Sequence, residues 1–238
     1  MQGARAVLET LRDLFYPLHC AGCRVALKKG WLCSDCQEAI KPVSKPRCET
    51  CSQPFFGMMD QFVCVNCRGR AFHFECAVAV MQSRGVLREL IHRLKYGGEL
   101  WLAQPLGDFL ELGLSDERLE DEEFDAIVPV PLHSLRQRER EFNQSEILCQ
   151  ELAGRKGLPV LDVLKRVRYT VTQTHFDRRR RMQNLQDAFT MRQNADVQGK
   201  HLLLVDDVLT TGSTLDECAR VLLEAGAESV RALTVARG

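Results

Sequence analysis

The chain has 238 residues, with 32 Lys+Arg balanced by 32 Asp+Glu and a hydrophobic fraction of 45%. That length suits one ordinary core with a small appended module. Zero net charge excludes a global attraction to polyanions, so any nucleic-acid site must be a local patch. No apolar run reaches the ~18 residues of a membrane span.

Residues 1–16 place Val7, Leu8, Leu11, Leu14 and Phe15 at helical spacing. They predict a short amphipathic helix stopping at Pro17. Glu9 and Asp13 interrupt the apolar stretch and no small-residue cleavage site follows, so it does not read as a signal peptide. A cytoplasmic protein is the expectation.

Eight of the eleven cysteines lie between Cys20 and Cys67 and form four C-x-x-C pairs. These are Cys20/Cys23, Cys33/Cys36, Cys48/Cys51 and Cys64/Cys67. Two thiolates so spaced grip one tetrahedral metal from a tight knuckle, and two knuckles complete a four-sulfur site. Nine residues separate the first two pairs and twelve the second two, intervals that suit a short hairpin. Large apolar residues are few here, so metal binding must supply much of the folding free energy. The expectation is two structural Zn²⁺ ions in a double zinc ribbon over residues 17–76. A reducing compartment disfavours the alternative of disulfides. Sequential quartets and an interleaved cross-brace use the same cysteines, and His19 and His73 flank the cluster as alternative ligands. Basic residues with interleaved aromatics make the head permissive for single-strand binding. Cys76, Cys149 and Cys218 read as ordinary buried thiols.

Residues 77–238 predict an α/β domain with a parallel sheet and helices on both faces. Ser83 begins a helical pattern with Leu87, Leu90, Ile91 and Leu94 on one face, ending at Gly97-Gly98. Leu100–Leu114 predicts a second helix, with Pro105 in its first turn or kinking it. Seven of the ten residues from Asp116 to Asp125 are acidic and read as a solvated loop. Strands are expected at Phe124–Val130, His201–Val205 and Ser229–Val235, and a loop follows the first. Helices are expected at Ser145–Ala153, closed by Gly154, and at Thr214–Ala225.

The strongest functional signal is LLLVDDVLTTGST, Leu202 to Thr214. A buried strand delivers Asp206 and Asp207 at its carboxyl end, where parallel sheets place ligands. The run Thr210, Thr211, Gly212, Ser213 and Thr214 then leads into a helix. Gly212 lets backbone N–H groups wrap an anion, and the helix N-terminus adds unpaired donors. The two acids suit a sugar's vicinal hydroxyls, with Mg²⁺ within reach. From Lys165 to Arg181 there are seven basic residues and one acid, Asp177, the best local patch for DNA in a neutral chain.

These thirteen residues resemble the 5-phosphoribosyl-1-pyrophosphate (PRPP) motif of type I phosphoribosyltransferases. LKYGG (Leu94–Gly98), VPVPLH (Val128–His133), FNQSE (Phe142–Glu146) and Thr172–Phe189, together with the cysteine head, resemble the ComF/GntX family almost end to end. That family joins a zinc ribbon to a phosphoribosyltransferase domain and is associated with natural competence. The resemblance implies a PRPP-binding protein acting on internalised single-stranded DNA, with competence or DNA-processing proteins as partners. The alternative is an active transferase passing the phosphoribosyl group to an unidentified acceptor. Thr210–Thr214 would hold the 5-phosphate, and Asp206 and Asp207 would face the ribose hydroxyls. The loop after Val130 would approach pyrophosphate. Thr172–Asn184 would close over the ligand, with Arg181 and Asn184 at the family's positions and Arg181 joining the two acids as catalytic. Glu141 stands where the family usually has Gly.

Overall fold

The computed structural model describes residues 18–55, 57, 62–168 and 187–238. The helix expected over residues 1–16 lies outside the described residues. So do the loop Thr172–Asn184 and the run Arg178–Arg181 within it.

The head opens with a two-stranded antiparallel ladder, β1 (Leu18–His19) and β2 (Ala26–Leu27), and a short helix α1 (Ser34–Ala39). The body then runs β3 (Ala77–Gln82), α2 (Gly85–Tyr96), a 3₁₀ turn at Leu100–Leu102, α3 (Ala103–Gly113) and β4 (Ala126–Pro129). It continues through α4 (Ser134–Arg140), α5 (Gln144–Lys156), β5 (Leu164–Arg166) and β6 (Phe189–Met191). It ends with β7 (His201–Leu209), α6 (Ser213–Glu224) and β8 (Ser229–Arg237).

Four strands form one wholly parallel sheet in the order β3-β8-β7-β4. Strand alternation divides β7 between two cores. Leu202 and Leu204 face Leu215, Cys218, Ala219 and Leu222 of α6. Leu203 and Val205 face the helices α2, α3 and α5, whose Leu87, Leu90, Leu94, Leu106, Leu110, Leu148 and Leu152 are all fully buried. Both faces being covered explains why β7 begins as a continuous apolar run.

The head covers the sheet's open edge, which would otherwise present unpaired backbone groups. Val43 and Gln82 N–H donate to the Val80 and Lys41 carbonyls, and Ala77 N–H donates to Thr50. The Ser52 hydroxyl donates to the Ala77 carbonyl at 2.9 Å and accepts from Ala79 N–H at 3.1 Å. Cys48, Cys51, Cys64 and Cys67 are buried in the same apolar cluster as the α6 face of the sheet.

Several expectations are corrected. The strand expected at His201–Val205 runs on through both aspartates to Leu209, because Asp206, Val208 and Leu209 pair with Thr234, Ala236 and Arg237 of β8. Helix α5 passes Gly154, where no neighbour lies within 4 Å, and stops at Gly157, whose φ of +69° closes it through an N–H bond to Ala153. Helix α4 stands where a loop was expected. It buries no residue, so apolar periodicity could not reveal it, and the His133 ring caps it by accepting from Leu135 N–H. The antiparallel pair β5–β6 was also missed, being three residues per strand.

The acidic segment is not a solvated loop throughout. The Asp116 side chain is only 6% exposed and grips Arg118 at 2.9 and 3.0 Å, while Arg47 from the head reaches it at 2.8 Å. Arg118 also donates to the Glu49 carbonyl at 2.8 Å and to Ser52 at 3.0 Å. Leu119 is buried beside them. A charge run carries no sign of which member turns inward; only the docked head supplies the partners.

Candidate functional site

The eight cysteines gather into two sequential quartets, Cys20/Cys23/Cys33/Cys36 and Cys48/Cys51/Cys64/Cys67, with the four sulfurs of each within 4.8 Å of one another. A tetrahedral ion with Zn–S bonds of about 2.3 Å sets its sulfurs ~3.8 Å apart. The sulfur separations of Cys20–Cys33, Cys23–Cys33 and Cys51–Cys64 are 3.6, 3.6 and 3.7 Å. In each quartet the third cysteine's N–H donates to the first cysteine's sulfur at 3.3 Å. These bonds favour thiolate over thiol, as a ligand requires. The donor chemistry and spacing fit structural zinc, and four thiolates leave no open position for catalysis. His19 lies outside both quartets. The His73 ring instead bonds Asp216 at 2.9 Å.

The second candidate site lies where β7 runs on beyond the end of β4. Asp207 is 3% exposed, and its carboxylate meets Lys95 Nζ at 2.5 Å. Lys95 is delivered by the last turn of α2. Burial would lower the Lys95 pKa, but the charge and hydrogen bond of Asp207, with the Asp206 charge, together outweigh burial and raise it. Asp206 accepts from the Ser145 hydroxyl at 2.7 Å and from Asp207 N–H at 2.9 Å. Burial, then the Asp207 charge, push Asp206 up to about 7 against the pull of Lys95 and Ser145.

The FNQSE segment builds the wall behind these acids. Asn143 caps α5 by accepting from Ser145 N–H, and its amide donates to the Val130 carbonyl at 3.1 Å. That bond fastens the loop after β4 to the helix start. Gln144 accepts from Arg140 at 3.0 Å, and Ser145 holds Asp206. Glu141 is exposed with φ +67°, a left-handed backbone conformation that glycine adopts without strain. It points to solvent and does not crowd the acids.

The turn after β7 is shaped as the residues require. Gly212 has φ +78° and forms the N-cap of α6. A Cβ there would lie 3.4 and 3.5 Å from the rings of Phe72 and Phe74. Those rings stack at 4.7 Å and form the floor of the turn. Thr211 and Ser213 hydroxyls bond at 3.0 Å. Thr210 is exposed, and it and Thr214 line a cleft of about 440 Å³ with Asp206, Asp207 and Lys95. That volume falls in the range of small-molecule sites, ~300–1,000 Å³. The turn is therefore not filled by its own side chains. The same cleft is lined by Arg136, Arg140 and Arg166.

The structure thus brings Asp206, Asp207, Thr210 and Thr214 to one cleft, with Thr211, Gly212 and Ser213 forming its turn. Arg181 lies outside the described residues. Reasoning from sequence quoted LKYGG and FNQSE but assigned no role to Lys95 or Ser145. It also missed the head's hold on the turn: Arg70 donates to the Thr211 carbonyl at 3.4 Å, and His73 N–H donates to Asp216 at 2.8 Å. No local pattern marks such long-range contacts.

Two family models match the chain: a double zinc ribbon domain over residues 11–68 and a phosphoribosyl transferase domain over residues 143–238. Competence protein F of Haemophilus influenzae is 33% identical over 94% of this chain and 98% of its own length. The DNA utilization protein YhgH of Escherichia coli is 35% identical over 94% of this chain and 99% of its length. Competence protein ComFC of Bacillus subtilis is 24% identical over 87% of this chain and 84% of its length. With both domains matched in order and a relative aligned nearly end to end, the chain belongs to the ComF family, which sets a phosphoribosyltransferase-fold domain behind a double zinc ribbon.

Proposed function

We propose that the chain binds PRPP with Mg²⁺ in the cleft above β7 and acts in natural competence, in the cytoplasm, on internalised single-stranded DNA. The observation that carries the reading is a buried acid pair followed directly by an open glycine turn at a helix N-terminus. Neither the fold nor the sheet needs two carboxylates there; burying a pair of acids is costly, and Lys95 supplies one positive charge for the two. Asp206 and Asp207 accept the ribose hydroxyls, and the Thr210–Thr214 turn takes the 5-phosphate through its N–H groups and hydroxyls. Lys95 holds Asp207 in the ligand-free chain and exchanges this partner for the sugar. Mg²⁺, when bound, neutralises the pyrophosphate charge. The family resemblance assigns Arg181 to the same group. Among the described residues no helix is long and apolar enough to cross a membrane. The DNA role is supported by the names of the relatives, which refer to competence and DNA utilization.

Calorimetry of the zinc-loaded chain with PRPP and Mg²⁺ tests the site. Hydrogen bonds to a charged group contribute about 1.5–3 kcal/mol, so Asp207→Ala weakens binding by at least about tenfold. Equal affinity would remove the ribose assignment. Pyrophosphate release assayed with a panel of bases and amines separates a binding protein from a transferase.

A further inference from the structure

A second basin of about 620 Å³ adjoins the sugar-phosphate cleft. Lys95, Tyr96, Arg136 and Arg140 line both. Tyr96 ends α2, a helix whose other large apolar side chains are mostly buried, yet it is 63% exposed. The Arg140 guanidinium lies 4.5 Å over its ring and donates to its hydroxyl at 2.8 Å. Gln144 anchors Arg140 from behind. One turn earlier on α2, the His92 ring tilts against Tyr96 at 4.7 Å. The result is a held ring and guanidinium, standing between two basins.

The charges are unevenly placed. Lys95 is paired with Asp207 in the inner cleft, which also holds Asp206, while Glu139 and Glu141 line the outer basin. Arg136 and Arg140 line both basins and form a short cationic strip, the kind of contact a phosphate backbone meets. An aromatic ring beside such a strip is the usual arrangement for unpaired bases, because every base offers a π-face. Guanidinium planes serve the same purpose. Duplex DNA keeps its bases stacked internally and cannot use the ring.

We propose, resting on the single-strand reading above, that Tyr96 and Arg140 form the platform on which one unpaired nucleobase of single-stranded DNA stacks in the outer basin. The adjoining phosphates lie along Arg136 and Arg140, and PRPP keeps the inner cleft. The strand and the phosphorylated sugar therefore share one wall, the end of α2, and each alters the setting of the other through Lys95 and Tyr96.

The test uses the full zinc-loaded chain and two fluorescent 15-mers, oligo-dT and the same backbone with abasic sites. Anisotropy titrations are run across a salt series. Stacking losses on truncation correspond to about five- to hundredfold in affinity per base. Tyr96→Ala is expected to weaken oligo-dT in that range, with abasic binding and its salt slope unchanged. Tyr96→Phe keeps the ring and restores oligo-dT binding to within about twofold. Zinc content and thermal melting establish that each variant is folded. If the wild type binds oligo-dT and Tyr96→Ala binds it equally well, the platform is overturned and the DNA reading stands. If the wild type prefers neither strand over buffer, both are overturned. If free adenine, and not oligo-dT, is the ligand that Tyr96→Ala loses, the basin is an acceptor site and the strand proposal is overturned.

Discussion

The proposed PRPP site predicts pH-dependent binding through Asp206. Its carboxyl is pushed up to about 7 by burial and by Asp207, while Lys95, the Ser145 hydroxyl and the Asp207 N–H pull it down. A ligand that needs both carboxylates as acceptors must first remove that proton. With a midpoint near 7, about one molecule in eleven is ionised at pH 6 and about ten in eleven at pH 8, so affinity for Mg²⁺ and PRPP rises about tenfold across the interval. Ser145→Ala removes the hydroxyl donor to the ionised form, so the midpoint moves upward. The phosphates of PRPP titrate too, but identically with both proteins, so the displacement between the two profiles belongs to Asp206. Isothermal titration from pH 6 to 8 at constant ionic strength measures it. Superimposable profiles for wild type and Ser145→Ala would refute the assignment. The same proton acts on the ligand-free fold. Asp206 holds it more tightly when folded than when unfolded, so its contribution favours the folded chain at low pH and is lost as pH rises through about 7.

Further expectations concern the head and its junction with the body. Asp116→Ala leaves Arg118 and Arg47 without their shared carboxylate in a largely buried interface, at a cost of about 3–5 kcal/mol, read as a fall in the urea midpoint; a variant as stable as wild type would refute the clamp. Burial raises Asp116, but Arg118 and Arg47 outweigh it and hold the carboxyl low, so this support is present above the ordinary carboxylate range and is lost on acidification. Metal analysis of protein purified without chelator should find two zinc ions per chain. Cys51→Ser, at a sulfur inside the shared core, should lower the melting temperature of the whole chain, and Cys23→Ser, at an exposed sulfur, should lower it less. Absence of zinc in the wild type would reject the metal assignment.

The four cysteine pairs, the apolar β7 and the acid-glycine turn were legible in the sequence because each is a local pattern with a local cause. A thiolate knuckle needs two intervening residues, a doubly covered strand needs unbroken apolar character, and an anion turn needs a glycine before a helix. Pairing of the quartets was not legible, because sequential and crossed arrangements use the same spacing; the folded ribbons decided it. Tertiary structure also decided that Asp116 turns inward while its acidic neighbours stay wet, that Lys95 meets Asp207, and that Phe72 and Phe74 form the floor beneath the glycine turn. Each of these depends on partners brought from distant parts of the chain. A single carboxylate or lysine looks alike in sequence whether water or a buried counter-charge completes it, and only docking of head on body supplies the difference.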